Sequence, residues 1–303
     1  MLHPRAYTVT VVWTLVLLYL GSVVHATESS LACPDWPTCF GTMVPEMSGG
    51  VFWEHLHRLV AGGLVLMFGL ATWLAYKETG DRPWIFRASL VGMGLLVIQS
   101  IFGGLTVLYQ LPDLVSTTHL GLALLFLALA TVLASYTGWS RSASSLSGGE
   151  GGQLRLWAGV AAFLVFGQSV LGGLVRHMDA GMACPDAPLC LGQVIPPLVN
   201  TPITVHFFHR VLALIVAGVV ISVALWTFRG TSESVRRWAA VAAALVIGQV
   251  ALGVVSVLSV LDVVPVSLHT LVAAGLIATL VHLSTVGHVA TRSVPEPVSA
   301  SAV

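Results

Sequence analysis

Eight apolar runs, each long enough to cross a hydrocarbon layer, take up most of the 303 residues. They read as Tyr7–Val24, Val51–Tyr76, Trp84–Tyr109, Leu114–Tyr136, Leu154–Val175, Thr204–Phe228, Val235–Val260 and Val263–Gly287. Charged residues make up only 9 % of the chain, against about 25 % in a soluble domain. Lipid, not water, is therefore the main solvent. Without water to satisfy backbone amides, a spanning segment must be a helix or part of a closed barrel. Runs of this length without strict alternation are helices. The first run follows Arg5, so a cleaved signal peptide is a rival reading; its long core and its match to a later run favour a retained helix. Formal net charge is zero with no basic tract, which argues against nucleic acid as a partner.

The runs repeat. Cys33-Pro34-Asp35-Trp36-Pro37-Thr38-Cys39-Phe40-Gly41 returns as Cys184-Pro185-Asp186-Ala187-Pro188-Leu189-Cys190-Leu191-Gly192, displaced by 151 residues. His57-Arg58 returns as His209-Arg210, and His119 returns as His269, at displacements of 152 and 150. Four spans per half is an even number, so both halves share one orientation. The expected fold is an all-α integral membrane protein, with eight transmembrane helices forming two tandem, pseudo-symmetric four-helix bundles. Of the 13 lysines and arginines, only Arg58, Arg176 and Arg210 fall at the end of the spans that carries the cysteines. The positive-inside rule then puts both termini in the cytoplasm and the cysteine loops outside. Domain boundaries follow: 1–139, a flexible Ser/Gly-rich linker over 140–153, 154–290, and a polar tail over 291–303.

His57 and His119 open two spans that enter from the same side, as do His209 and His269. Ionisable groups at that depth are rare unless they work. Structural histidines bonded across a bundle are the plain alternative. Zinc or copper would recruit thiolates or carboxylates as well. Two facing imidazoles per half suit six-coordinate haem iron. Arg58 and Arg210 follow their histidines, where a guanidinium can clamp a propionate bidentately; simple snorkelling to the interface is the competing reading. Three residues before the histidine, the halves differ: Glu54 in the first, His206 in the second. A carboxylate on the ligand's face could shuttle protons or position water, or could merely complement the helix N-terminus. His55 and His206 are supporting or surface polar groups.

With these residues in place, the chain resembles the heme A synthase family over essentially all eight spans. The resemblance rests on Glu54-His55-Leu56-His57-Arg58, His119, Gly172-Gly173-Leu174-Val175-Arg176, His206-Phe207-Phe208-His209-Arg210, His269 and the two Cys-Pro-Asp-x-Pro-x-Cys-x-Gly loops. It implies oxidation of the C8 methyl of haem O to a formyl group, by successive hydroxylations with water as oxygen source. His57 and His119 would bracket the substrate haem in the N-terminal bundle, with Glu54 as catalytic carboxylate. His209 and His269 would ligate a resident haem b in the C-terminal bundle. Cys33–Cys39 and Cys184–Cys190 would form disulfides in an oxidising compartment, the second structural, the first either structural or redox-active. Haem O would come from a haem O synthase by direct contact, and electrons would leave to an unidentified acceptor. The expected setting is the plasma membrane, with the haem sites near its outer face and a homo-oligomer left open. A dihaem b-type electron-transfer protein is the alternative, and a transporter a further one.

Overall fold

The computed structural model describes residues 1–139 and 146–293. Residues 140–145, inside the expected linker, and 294–303, inside the expected tail, lie outside the described residues. Eight long helices run over α1 His3–Ala26, α2 Gly49–Glu78, α3 Pro83–Leu108, α4 Asp113–Ala134, α5 Gly148–His177, α6 Thr201–Phe228, α7 Glu233–Leu258 and α8 Val263–Ser293. All eight are long and apolar enough to cross a membrane, and the chain is a multi-pass membrane protein. A single wide π turn, Ser135–Trp139, extends α4. The linker is shorter than the sequence suggests. Ser147 and Glu150 form a reciprocal capping box that starts α5 at Gly148, inside the stretch read as flexible. Asn200 caps α6 by accepting from the Ile203 amide at 3.0 Å, with Pro202 in the first turn.

Helices α1–α4 close one ring, α1 packing on α2 and α4, and α3 on both α2 and α4. Helices α5–α8 close a second ring in the same order. The rings meet along α1, α4, α5 and α8. There, His282 of α8 pairs its Nδ1 with the Ser135 hydroxyl at 3.0 Å, a buried polar link between halves. Faces turned away from both rings stay apolar: Leu66 is 77 % exposed and Phe163 74 %, as lipid contact requires. Helix α5 packs tightly on α8 at Gly287. A methyl on Gly287 would stand 2.5 Å from the Arg155 backbone nitrogen and 2.6 Å from the Gly151 carbonyl oxygen.

The bundle end that carries His57, His119, His209 and His269 also carries two loops, each closed by a disulfide, Cys33–Cys39 and Cys184–Cys190. Each loop folds around an aspartate. Asp35 accepts from the Thr38 hydroxyl and from the Phe40 and Gly41 amides, the amides at 2.6 and 2.9 Å. Asp186 accepts from the Leu191 and Gly192 amides at 2.7 and 2.8 Å. Phe40 and Leu191, and the glycines after them, have positive φ, which aims consecutive amides at the carboxylate. The Thr38 hydroxyl, with the Gly41 and Phe40 amides, holds the Asp35 carboxyl below its usual range. The Gly192 and Leu191 amides do the same for Asp186.

Two outcomes follow from these contacts. Gly287→Ala should cost about 1–3 kcal/mol, because backbone rather than a movable side chain occupies the space. Gly218→Ala, which meets nothing within 4 Å, should be neutral; denaturant titration in detergent compares the two. Because both aspartates titrate lower folded than unfolded, their stabilisation is complete above the unfolded value, about 3.9. It fades as pH falls through the folded values. Hydrogen-exchange protection of the Gly41 and Gly192 amides, corrected for intrinsic rates, should hold from neutral pH down to about 4 and then collapse. Asp35→Ala should remove it from the first loop at neutral pH.

Candidate functional site

Four histidines share one design. Each ring lies against a glycine on the helix that precedes its own. A Cβ on Gly21 of α1 would stand 3.1 Å from His57 Nε2 of α2, and one on Gly103 of α3 would stand 3.0 Å from His119 Cε1 of α4. In the second ring, a Cβ on Gly172 of α5 would meet His209 Cε1 of α6 at 2.9 Å, and one on Gly253 of α7 would meet His269 Cε1 of α8 at 3.1 Å. The missing side chains are what let the edge of each imidazole come this close to the neighbouring helix. His57 and His119 lie within electrostatic reach of each other, and so do His209 and His269.

Glutamines orient the rings. His119 Nδ1 donates to the Gln99 carbonyl oxygen at 3.1 Å, which leaves Nε2 with a lone pair. The Gln99 side-chain nitrogen stands 3.4 Å from that Nε2. Gln168 Nε2 reaches His209 Nδ1 at 3.0 Å and the His209 carbonyl oxygen at 2.8 Å. Several buried oxygens nearby on the same helices have no hydrogen-bond partner: Thr117 Oγ1, Ser267 Oγ, and the side-chain oxygens of Gln99, Gln168 and Gln249. Thr117 and Ser267 each precede a ring-bearing histidine by two residues. A buried unpaired polar atom costs about 1–3 kcal/mol, so this many around the two imidazole pairs fits sites built for a guest. The four histidines are the residues that could hold iron, and the donor set of two imidazoles per bundle fits haem.

One turn above His57 stands Glu54, 5 % exposed. Its Oε2 accepts from the Cys33 amide at 2.8 Å and its Oε1 from Arg58 at 2.5 Å. At the matched place in the second ring, His206 donates from Nδ1 to the Ala180 carbonyl oxygen at 2.8 Å and accepts from Arg210 Nε at 3.0 Å. The two arginines, expected from the sequence to clamp propionates, are engaged here with the disulfide loops. Arg58 spends both terminal nitrogens on the Asp35, Thr38 and Cys33 carbonyl oxygens and on Glu54. Arg210 likewise donates to the Asp186, Leu189 and Cys184 carbonyl oxygens and to His206. Neither guanidinium keeps two parallel donors free for a carboxylate. Their work is to fasten each disulfide loop onto the helix that bears the histidine.

The structure gives partners to groups to which the sequence reading assigns no role. His25 and His177, on α1 and α5, have ring centroids 4.9 Å apart and tilted by 52° where the halves meet, and Arg176 donates to the His25 carbonyl oxygen at 3.0 Å. The orienting role of Gln99 could have been suspected from its recurrence as Gln249. Gln168 has Leu17 at the matched position and left no such trace.

Compared with known proteins, residues 46–281 match the family described as cytochrome oxidase assembly protein. A curated heme A synthase of Symbiobacterium thermophilum is 33 % identical over 290 residues, covering 90 % of this chain and 91 % of that one. The heme A synthase of Halalkalibacterium halodurans is 29 % identical, covering 91 % and 94 %. That of Shewanella oneidensis is 27 % identical over the same shares. With the family model spanning more than half of the chain and the relatives covered over nine-tenths of their length, the chain belongs to the heme A synthase family of cytochrome oxidase assembly proteins.

Proposed function

We propose that this chain oxidises the C8 methyl of haem O to a formyl group, by successive hydroxylations that take their oxygen from water, and so makes haem A. The observation that carries the reading is the matched set of glycine-seated imidazole pairs with a carboxylate above only one of them. His57 and His119 would hold the substrate haem in the N-terminal bundle. His209 and His269 would hold a resident haem b in the C-terminal bundle. When bound, haem iron supplies the one-electron chemistry that a methyl oxidation needs. The chain's own residues supply position and proton handling. The glycine seats and the Gln99 carbonyl set the imidazole planes. Glu54, fixed by Arg58 and the Cys33 amide, still has lone pairs free on both oxygens and can take a proton or align water at one place. The buried surroundings keep bulk water from the site. On this reading both termini are cytoplasmic and the histidine end lies at the outer face of the plasma membrane. A haem O synthase delivers substrate there, and an electron acceptor of unknown identity takes the reducing equivalents.

The dihaem electron-transfer reading retains one foothold, because both Glu54 oxygens are engaged in holding the loop. Glu54→Gln separates the two readings, since an amide oxygen can still accept from the Cys33 amide while losing the charge. Coexpressed with a haem O source, the wild type should yield haem A on extraction and chromatography. Glu54→Gln should lower that yield about 100-fold or more while keeping a b-type spectrum; wild-type yield from this variant would leave the electron-transfer reading standing. Gly253→Leu should push His269 off its seat and lower the b-type absorbance per protein, whereas Gly248→Leu, at a position with open space, should not.

A further inference from the structure

The two disulfide loops are near copies, yet one difference beside them bears on metal binding. His55 of α2 is 4 % exposed. One of its ring nitrogens and the sulfurs of Cys33 and Cys39 all lie within 4.8 Å of one another. Its Nδ1 is buried without a hydrogen-bond partner. At the matched position in the second half stands Phe207, which has nothing to offer a ligand. The neighbouring His206 has both nitrogens engaged by Ala180 and Arg210. An imidazole with a buried, unpartnered nitrogen beside two sulfurs is costly as a packing residue; as a metal ligand it is well placed.

We propose that the Cys33–Cys39 loop, once its disulfide is reduced, binds one soft or borderline d10 cation through Cys33, Cys39 and His55. The donor set of two thiolates and an imidazole is one that zinc and copper(I) favour. Three protein ligands leave a fourth position for water or another ligand. The loop is held to α2 on either side of His55: Glu54 takes the Cys33 amide, and Arg58 takes the Asp35 and Thr38 carbonyl oxygens. The two sulfurs therefore stay beside the imidazole when the bond between them is cut. Ion and disulfide are alternative occupants, because both use the same sulfur electrons. A dithiol that reduces the pair leaves as its own disulfide, its two hydrogens passing to Cys33 and Cys39. Binding of the ion then displaces those two protons. The loop becomes a thiol-gated metal site next to the first imidazole pair, and its existence does not depend on the haem assignment.

The test uses the full chain in detergent, as purified with whatever haem it carries. A phosphine reduces the disulfides, gaining an oxygen from water as two thiols form, and zinc is titrated against a chromophoric chelator. The reduced protein should bind one more zinc per chain than the oxidised protein; the difference removes any contribution from the paired histidines. Cadmium in place of zinc should give a sulfur-to-metal charge-transfer band. His55→Phe, which copies the second half, should weaken the added site roughly tenfold or more without changing the circular dichroism. Replacing Cys184 and Cys190 by serine should leave it intact. No added zinc on reduction, equal affinity in His55→Phe, or loss of the site in the Cys184/Cys190 variant would each overturn the proposal.

Discussion

Lipid provides no hydrogen bonds, and every polar side chain among these helices is placed in answer to that. Backbone amides are satisfied within the helices. Hydroxyls of residues such as Thr10, Thr72 and Thr131 turn back to carbonyl oxygens four residues earlier in their own helix. What stands out against this economy is the histidine end. There, glutamine, threonine and serine oxygens are left without partners beside four imidazoles. In a soluble protein such groups would borrow water; here they mark space meant for something else.

The duplication explains why two such places exist, and its imperfections explain why they differ. Both halves keep the glycine seats, the arginine and the aspartate-centred loop. Among the places where they diverge around the loop are three with polar consequences: Glu54 against His206, His55 against Phe207, and Thr38 against Leu189. All three changes make the first loop more polar and better furnished with ligands and proton acceptors. The arginines take no direct part in that difference. Each is locked onto three loop carbonyl oxygens, so the loop and the helix below it behave as one rigid piece. A movement of either disulfide loop would carry Glu54 or His206 with it.

Much of this was legible in the sequence. Span number, the tandem repeat and the pairing of His57 with His119 and His209 with His269 all follow from hydropathy and near-constant displacement. Those signals survive because a helix in lipid is specified by composition over some twenty residues, and a repeat by spacing alone. Contacts that depend on rotamers and loop closure were not legible. The loop contacts of Arg58 and Arg210 are one case, since sequence shows an arginine beside a histidine but not the carbonyl oxygens a loop folds back to offer. The start of α5 was misplaced because Gly148, Gly149, Gly151 and Gly152 read as flexible, while the capping box at Ser147 and Glu150 was enough to begin a helix there.

What the sequence determined by itself is the solvent, the helix count and the chemical vocabulary of the site, since each depends on which residues occur and how far apart they are. Only the tertiary structure decided which groups have partners. It closed the aspartate-centred loops onto α2 and α6 and set each imidazole on a glycine of the helix before it. It also brought His55 against the Cys33–Cys39 pair. Those outcomes depend on distances of a few ångströms between residues far apart in the chain, and hydrogen-bond satisfaction in a medium without water is settled at that scale.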